Sequence, residues 1–176
     1  MTIIEERLQE PITLSAGSHH PDSGETCLLE AVAWIAGEPW SDHPVCVCPV
    51  LAAFGRAWND GLGDEARNRL LLPFLTRLVG TRSTAEIQER RAFMAVDWSV
   101  RVSAPAWLRL AGLDVHADAL EALSELDSAE ACRLAEPSTA AARAAAGDAA
   151  GDALAPTVAA LQESAVDLFD RMIETS

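Results

Sequence analysis

The stretch Ser83-Thr84-Ala85-Glu86-Ile87-Gln88-Glu89-Arg90-Arg91-Ala92-Phe93-Met94-Ala95-Val96-Asp97-Trp98-Ser99-Val100-Arg101-Val102-Ser103-Ala104 contains neither glycine nor proline. Ser83 and Glu86 have the spacing of a capping box. Ile87, Met94, Ala95, Trp98 and Val102 recur at a helical period and share one face. The stretch therefore predicts a helix over residues 84–104, and the same signals repeat on both sides of it.

Upstream, Asp22 and Glu25 have capping-box spacing ahead of the apolar face Leu28, Ala31, Val32 and Ile35, and Gly37 is placed as a helix stop. Pro49 suits the first turn of a helix carrying Leu51, Phe54 and Trp58 and ending near Asp60-Gly61. Asp64 is expected to cap a short helix broken or kinked at Pro73, and Gly80 ends the next one. Residues 12–21 and 37–48 read as loops. Downstream, Asp114 is expected to cap residues 115–125, and Asp127 or Ser128 a stretch ending at Pro137. After Pro156, residues 157–173 carry Val158, Leu161, Ala165, Leu168 or Phe169, and Met172 at helical spacing. The best strand candidate, Val45-Cys46-Val47-Cys48-Pro49-Val50, alternates β-branched residues but is short and interrupted by proline, so no strand is predicted. The fold class expected is all-α, a compact bundle of about seven or eight helices with a C-terminal Ala-rich acidic helical segment. A helical body over residues 1–136 and an acidic arm or packed helices over residues 137–176 are the expected divisions.

With 176 residues, 49% of them hydrophobic, the chain has ample material for a core. No apolar run approaches the roughly 18 residues needed to cross a bilayer. The opening Met1-Thr2-Ile3-Ile4-Glu5-Glu6-Arg7 lacks the basic and apolar regions of a signal peptide. A cytoplasmic protein with reduced thiols is the expectation. All 13 basic residues are arginine, and the net charge is −14. The charge is uneven: residues 1–111 carry −4 and residues 112–176 carry −10. Such a field repels nucleic acid and anionic membrane surfaces and suits a basic protein partner.

Chemistry-bearing residues concentrate between His19 and Cys48. His20, Cys27, Glu30, His43, Cys46 and Cys48 are candidate ligands for zinc, whose usual donors are thiolate, imidazole and carboxylate. Cys27 and Glu30, at i and i+3, share a helix face, and His43 and Cys46 have the spacing of a short chelating loop. No paired Cys-x-x-Cys modules accompany them. Because a helix separates the two loops, His19, His20 and Cys27 are expected to gather at one end. Asp42, His43, Cys46 and Cys48 are expected at the other, unless the second loop folds back.

A second chemistry places a nucleophile at Cys27, with His20, His43 or His116 as its base and His20 as the nearest in sequence. Asp22-Ser23-Gly24-Glu25-Thr26-Cys27-Leu28 resembles the Asp-Gly-x-Cys-Leu openings of papain-like and ovarian-tumour-type thiol proteases. That resemblance covers seven residues and implies a thiol hydrolase, whose histidine in those families sits on a sheet. Trp40, beside Asp42 and His43, is read as a loop anchor.

The segment Glu30-Ala31-Val32-Ala33-Trp34-Ile35-Ala36-Gly37-Glu38-Pro39-Trp40-Ser41-Asp42-His43-Pro44, with Trp58-Asn59-Asp60 and Leu78-Val79-Gly80-Thr81-Arg82, resembles an uncharacterised family of hypothetical proteins from actinobacteria and their phages. The resemblance spans roughly Ser18 to Gly112. It implies no activity, and it suggests that the tail after Pro137 is a separate addition. The functional expectation is a small cytoplasmic, non-enzymatic helical interaction or regulatory protein. Zinc binding and a thiol hydrolase are the alternatives.

Overall fold

In the computed structural model, residues 3–146 and 155–175 are described. The fold is all-α, and no strand occurs among the described residues. No helix there is long and apolar enough to cross a membrane. Packing divides the chain into two compact units, residues 1–88 with 173–176, and residues 89–172.

The first unit is built on α1 (Leu28–Ile35), α2 (Pro49–Gly61), α3 (Asp64–Leu71) and α4 (Leu75–Leu78), preceded by a 3-10 turn at Glu5–Gln9. Every residue of α1 except Trp34 is buried, Glu30 included. A helix of eight residues has no independent stability in water, so α1 depends on what closes its ends. At its C-terminus Gly37 adopts φ +71°, its N–H donates to Trp34 O at 3.0 Å, and Glu38 N–H donates to Ala33 O at 2.9 Å. This is a Schellman closure, the stop expected at Gly37. The N-terminal segment completes it: Ile4 N–H reaches Ile35 O at 2.9 Å, and Arg7 donates to Trp34 O while lying over the Trp34 ring.

Helix α2 begins with Pro49 in its first turn, as expected. It buries Asn59 completely. Asn59 Oδ1 accepts from Leu28 N–H at 3.2 Å and its amide donates to Ser15 O at 2.9 Å. Asn68 on α3 both accepts from Leu14 N–H (2.7 Å) and donates to Leu14 O (3.1 Å), imitating a strand neighbour. Arg67, also buried, donates to Asn59 O, to Leu62 O and to the Asp64 carboxylate. Asp64 lies inside α3, after an N-cap at Gly63, rather than at the cap. Pro73 shifts the chain into a 3-10 turn at Leu72–Phe74 before α4, the kink expected there.

The deciding stretch forms α5 (Ala85–Trp98), a π turn over Ser99–Ser103 and α6 (Ala104–Leu110) in unbroken succession. The N-terminal cap is Thr84, whose Oγ1 accepts from Ile87 N–H at 3.4 Å; Ser83 instead accepts at its carbonyl from the Gln88 amide. The cap therefore sits one residue later than the Ser83–Glu86 spacing predicts.

The second unit adds α7 (Asp114–Glu121), α8 (Ala129–Ala145) and α9 (Ala155–Glu174, with Met172 the last residue counted in this unit). Leu108, Ala117, Leu120 and Ala142 form one buried cluster, with Val100, Ala104, Leu113 and Leu123 against it. Leu113, not Asp114, holds the N-cap position of α7. Ser128 Oγ accepts from Ala131 N–H at 3.2 Å and starts α8 as expected. That helix does not end at Pro137 but runs eight residues past it to Ala145, crossing the division expected at residue 136. Proline removes a donor and crowds the carbonyl four residues back, and here both Pro137 and Arg133 face solvent, where water can satisfy that carbonyl. In α9, Leu161, Ala165, Leu168, Phe169 and Met172 are buried. Trp98 Nε1 donates to Ser164 Oγ at 2.7 Å, and the buried Arg91 Nε donates to Met172 O at 2.6 Å. The C-terminal helix thus packs on α5 of the same chain.

Candidate functional site

The helix start predicted at Asp22 lies instead at Cys27, the N-cap of α1. Cys27 Sγ accepts from Glu30 N–H, and the Glu30 carboxylate reaches back to Cys27 N–H at 2.7 Å, so a cysteine takes the serine position of a capping box. The same carboxylate accepts from His19 N–H at 2.5 Å and from His19 Nδ1 at 2.9 Å. A carboxylate only accepts, so Nδ1 carries the proton in that bond. Glu30 is fully covered and the His19 ring is 8% exposed. Trp40 Nε1 donates to His19 O at 2.8 Å, so the second loop does fold back to the first. Trp40 is the anchor that its place in the loop suggested.

Cys27 is buried, and burial pushes its thiol up to about 12; the Glu30 N–H opposes this and the Glu30 carboxylate adds to it. This is the reverse of thiol activation, which requires stabilised thiolate. His20, the proposed base, has its ring 76% exposed beside Asp22, with Nδ1 and Oδ2 3.4 Å apart. The histidine placed at Cys27's end of α1 through a buried contact is His19, held by Glu30.

The second loop is fixed by Glu38, which accepts from Val45 N–H (2.5 Å) and Cys46 N–H (2.8 Å). Arg82 N–H donates to Cys46 O at 3.0 Å, and Cys48 N–H to Thr81 Oγ1 at 3.2 Å. Cys46 and Cys48 are both buried, and Cys48 is the N-cap of α2. Burial, reinforced by Glu38, raises the Cys46 thiol against the pull of a Gly80 backbone contact. All four cysteines are free thiols. His43 stands apart: its Nδ1 lies 2.6 Å from Asp42 Oδ1, with the ring 68% exposed.

Among the described residues no group of three or more His, Cys, Asp and Glu side chains is placed to hold a metal ion. His20, Cys27, Glu30, His43, Cys46 and Cys48 are thus not gathered into one ligand set. What the structure gathers is His19, Glu30, Cys27 and Trp40, a buried polar knot that ties two loops to the start of α1. All four residues of this knot are singled out by the sequence, but the pairing of His19 with Glu30 is not. Comparison with protein-family models, with curated proteins and with solved structures yields no match.

Proposed function

We propose that this chain is a non-enzymatic interaction protein whose acidic C-terminal third meets a basic protein partner. The observation that carries the reading is the exposed surface of α7, α8 and the turn between them. Asp118, Glu121, Glu125, Asp127, Glu130 and Glu136 are all exposed there. Val115 and Leu134 are exposed on the same two helices, at 80% and 72%. A field of one sign raises the encounter rate with an opposite field, and apolar anchors within it add contact area. Arg109 answers only part of the charge, pairing with Asp118 at 2.9 Å and Glu121 at 2.6 Å.

The buried thiols and the His19–Glu30 pair support the same reading, because each already serves the scaffold. Deleting residues 137–176 would remove Ala142 and the buried face of α9, so charge is better tested by substitution. In the triple variant Glu125→Gln, Glu130→Gln, Glu136→Gln, the segment's charge of −10 becomes −7. Affinity capture from an extract of the source cells, at low and high salt, compares it with the parent. The expected result is a basic protein retained by the parent, released by salt and reduced with the variant. Equal, salt-insensitive capture by both would overturn the proposal.

A further inference from the structure

Of the two His–carboxylate pairs with a short Nδ1 contact, the one at His43 opens outward. The Asp42 carboxylate holds His43 Nδ1 at 2.6 Å and is itself only 27% exposed. The carboxylate can only accept, so in the neutral imidazole Nδ1 bears the hydrogen and Nε2 the lone pair. The backbone around the pair is fixed on every side. His43 N–H donates to Ser41 Oγ at 3.0 Å, and Arg56 Nη1 donates to Asp42 O at 2.9 Å. Arg82 Nη1 donates to Val45 O at 3.3 Å, and Glu38 holds the Val45 and Cys46 N–H groups. Two guanidinium groups thus hold the Asp42 and Val45 carbonyls of the loop that carries His43.

We propose that His43 Nε2 is a phosphoryl-acceptor site. An imidazole whose tautomer is set by a carboxylate is a competent nucleophile. Acceptance, rather than catalysis on a small substrate, fits an exposed ring, since the donor then supplies the binding surface. In the step, the Nε2 lone pair forms the N–P bond while the bond from phosphorus to the donor's leaving group breaks. The leaving group departs with that electron pair. The ring then carries Nδ1–H and Nε2–P with one positive charge, which the Asp42 carboxylate faces. Nothing is oxidised or reduced, and the co-reactant is a phosphoryl donor with a good leaving group, such as phosphoramidate or an acyl phosphate.

His20 is the internal control, because its Nδ1 lies a looser 3.4 Å from an Asp22 that is 89% exposed. The full chain is treated with phosphoramidate, and phosphate at each histidine is followed over time by mass spectrometry at neutral to alkaline pH. His43 should be modified about tenfold faster than His20, the factor expected from one charge-assisted hydrogen bond that strengthens in the transition state. Asp42→Asn should bring His43 down to the His20 rate, and unfolding in urea should make the two alike. Equal rates in the folded chain, a preference unchanged by Asp42→Asn, or a preference that survives urea would each overturn the proposal.

Discussion

His19 Nδ1 meets Glu30 Oε2 at 2.9 Å in a place where solvent reaches neither group freely. Glu30 also holds the N–H groups of His19 and Cys27, so one carboxylate joins the loop before α1 to the first turn of the helix. Removing it leaves three donors without their acceptor. Glu30→Ala should therefore destabilise the chain by about 2–4 kcal/mol, the range for losing a buried, charge-assisted acceptor. Glu30→Gln, which keeps the shape and one acceptor oxygen, should cost less. Urea unfolding of the three proteins checks the order. Equal midpoints for parent and Glu30→Ala would show that the carboxylate contributes nothing.

Cys27 should resist alkylation in the folded chain. Its thiol, pushed up to about 12, holds little thiolate at about pH 8.5, where a free cysteine reacts readily. Iodoacetamide followed by peptide mapping should label Cys132 first and Cys27 only after unfolding. Because the folded value lies above the ordinary 9.0, the sign of the stability effect follows. The folded state is favoured fully while the thiol is protonated in both states, and that advantage is lost as pH rises above about 9. Cys27→Ser should flatten the alkaline limb of the stability profile.

Asp60 titrates in the opposite sense. Burial disfavours its charge, but Gly17 N–H at 2.8 Å, the Asn59 amide at 3.0 Å, and the nearby Arg67 and His19 together lower it below the ordinary 3.8. A lowered carboxylate stabilises the fold above its unfolded value, and that contribution disappears as pH falls from about 4 through the folded value. Asp60→Asn should remove that contribution, lowering stability at neutral pH and letting the two proteins converge as pH falls through the acid window. Thermal unfolding between about pH 2 and 5 reads this directly, and parallel profiles for the two proteins would contradict it.

Phe169 is wholly buried on α9. Phe169→Ala should cost about 3–5 kcal/mol, measured by denaturant unfolding with far-ultraviolet circular dichroism. An effect under about 1 kcal/mol would mean that α9 is not packed as described.

How much of this was readable beforehand depends on the range of each interaction. Gly37, Pro49 and Ser128 mark helix ends through local backbone chemistry, and each does in the structure what its residue type requires. The all-α fold follows from such signals. The start of α1 was placed five residues too early because Asp22 is a favoured capping residue and cysteine is not. Cys27 can cap only because Glu30 is buried beside it. Pro137 reads as a stop, yet its solvent-facing position lets α8 continue. Asn59 and Arg91 are polar residues buried to serve backbone groups far along the chain, and no periodicity reveals an acceptor 81 residues away. The knot at His19 was hidden for the same reason: its members were visible by type, but which histidine faces the carboxylate is decided by the path of a loop.

The bond from Arg91 to Met172 has a bearing on the birth of the molecule. A ribosome adding about 5–20 residues per second needs roughly 4–16 s to travel the 81 positions between them. For that interval α5 exists without the carbonyl that Arg91 will hold and without the apolar ridge of Leu168, Phe169 and Met172. A nascent chain in this state offers a half-built helical surface to chaperones.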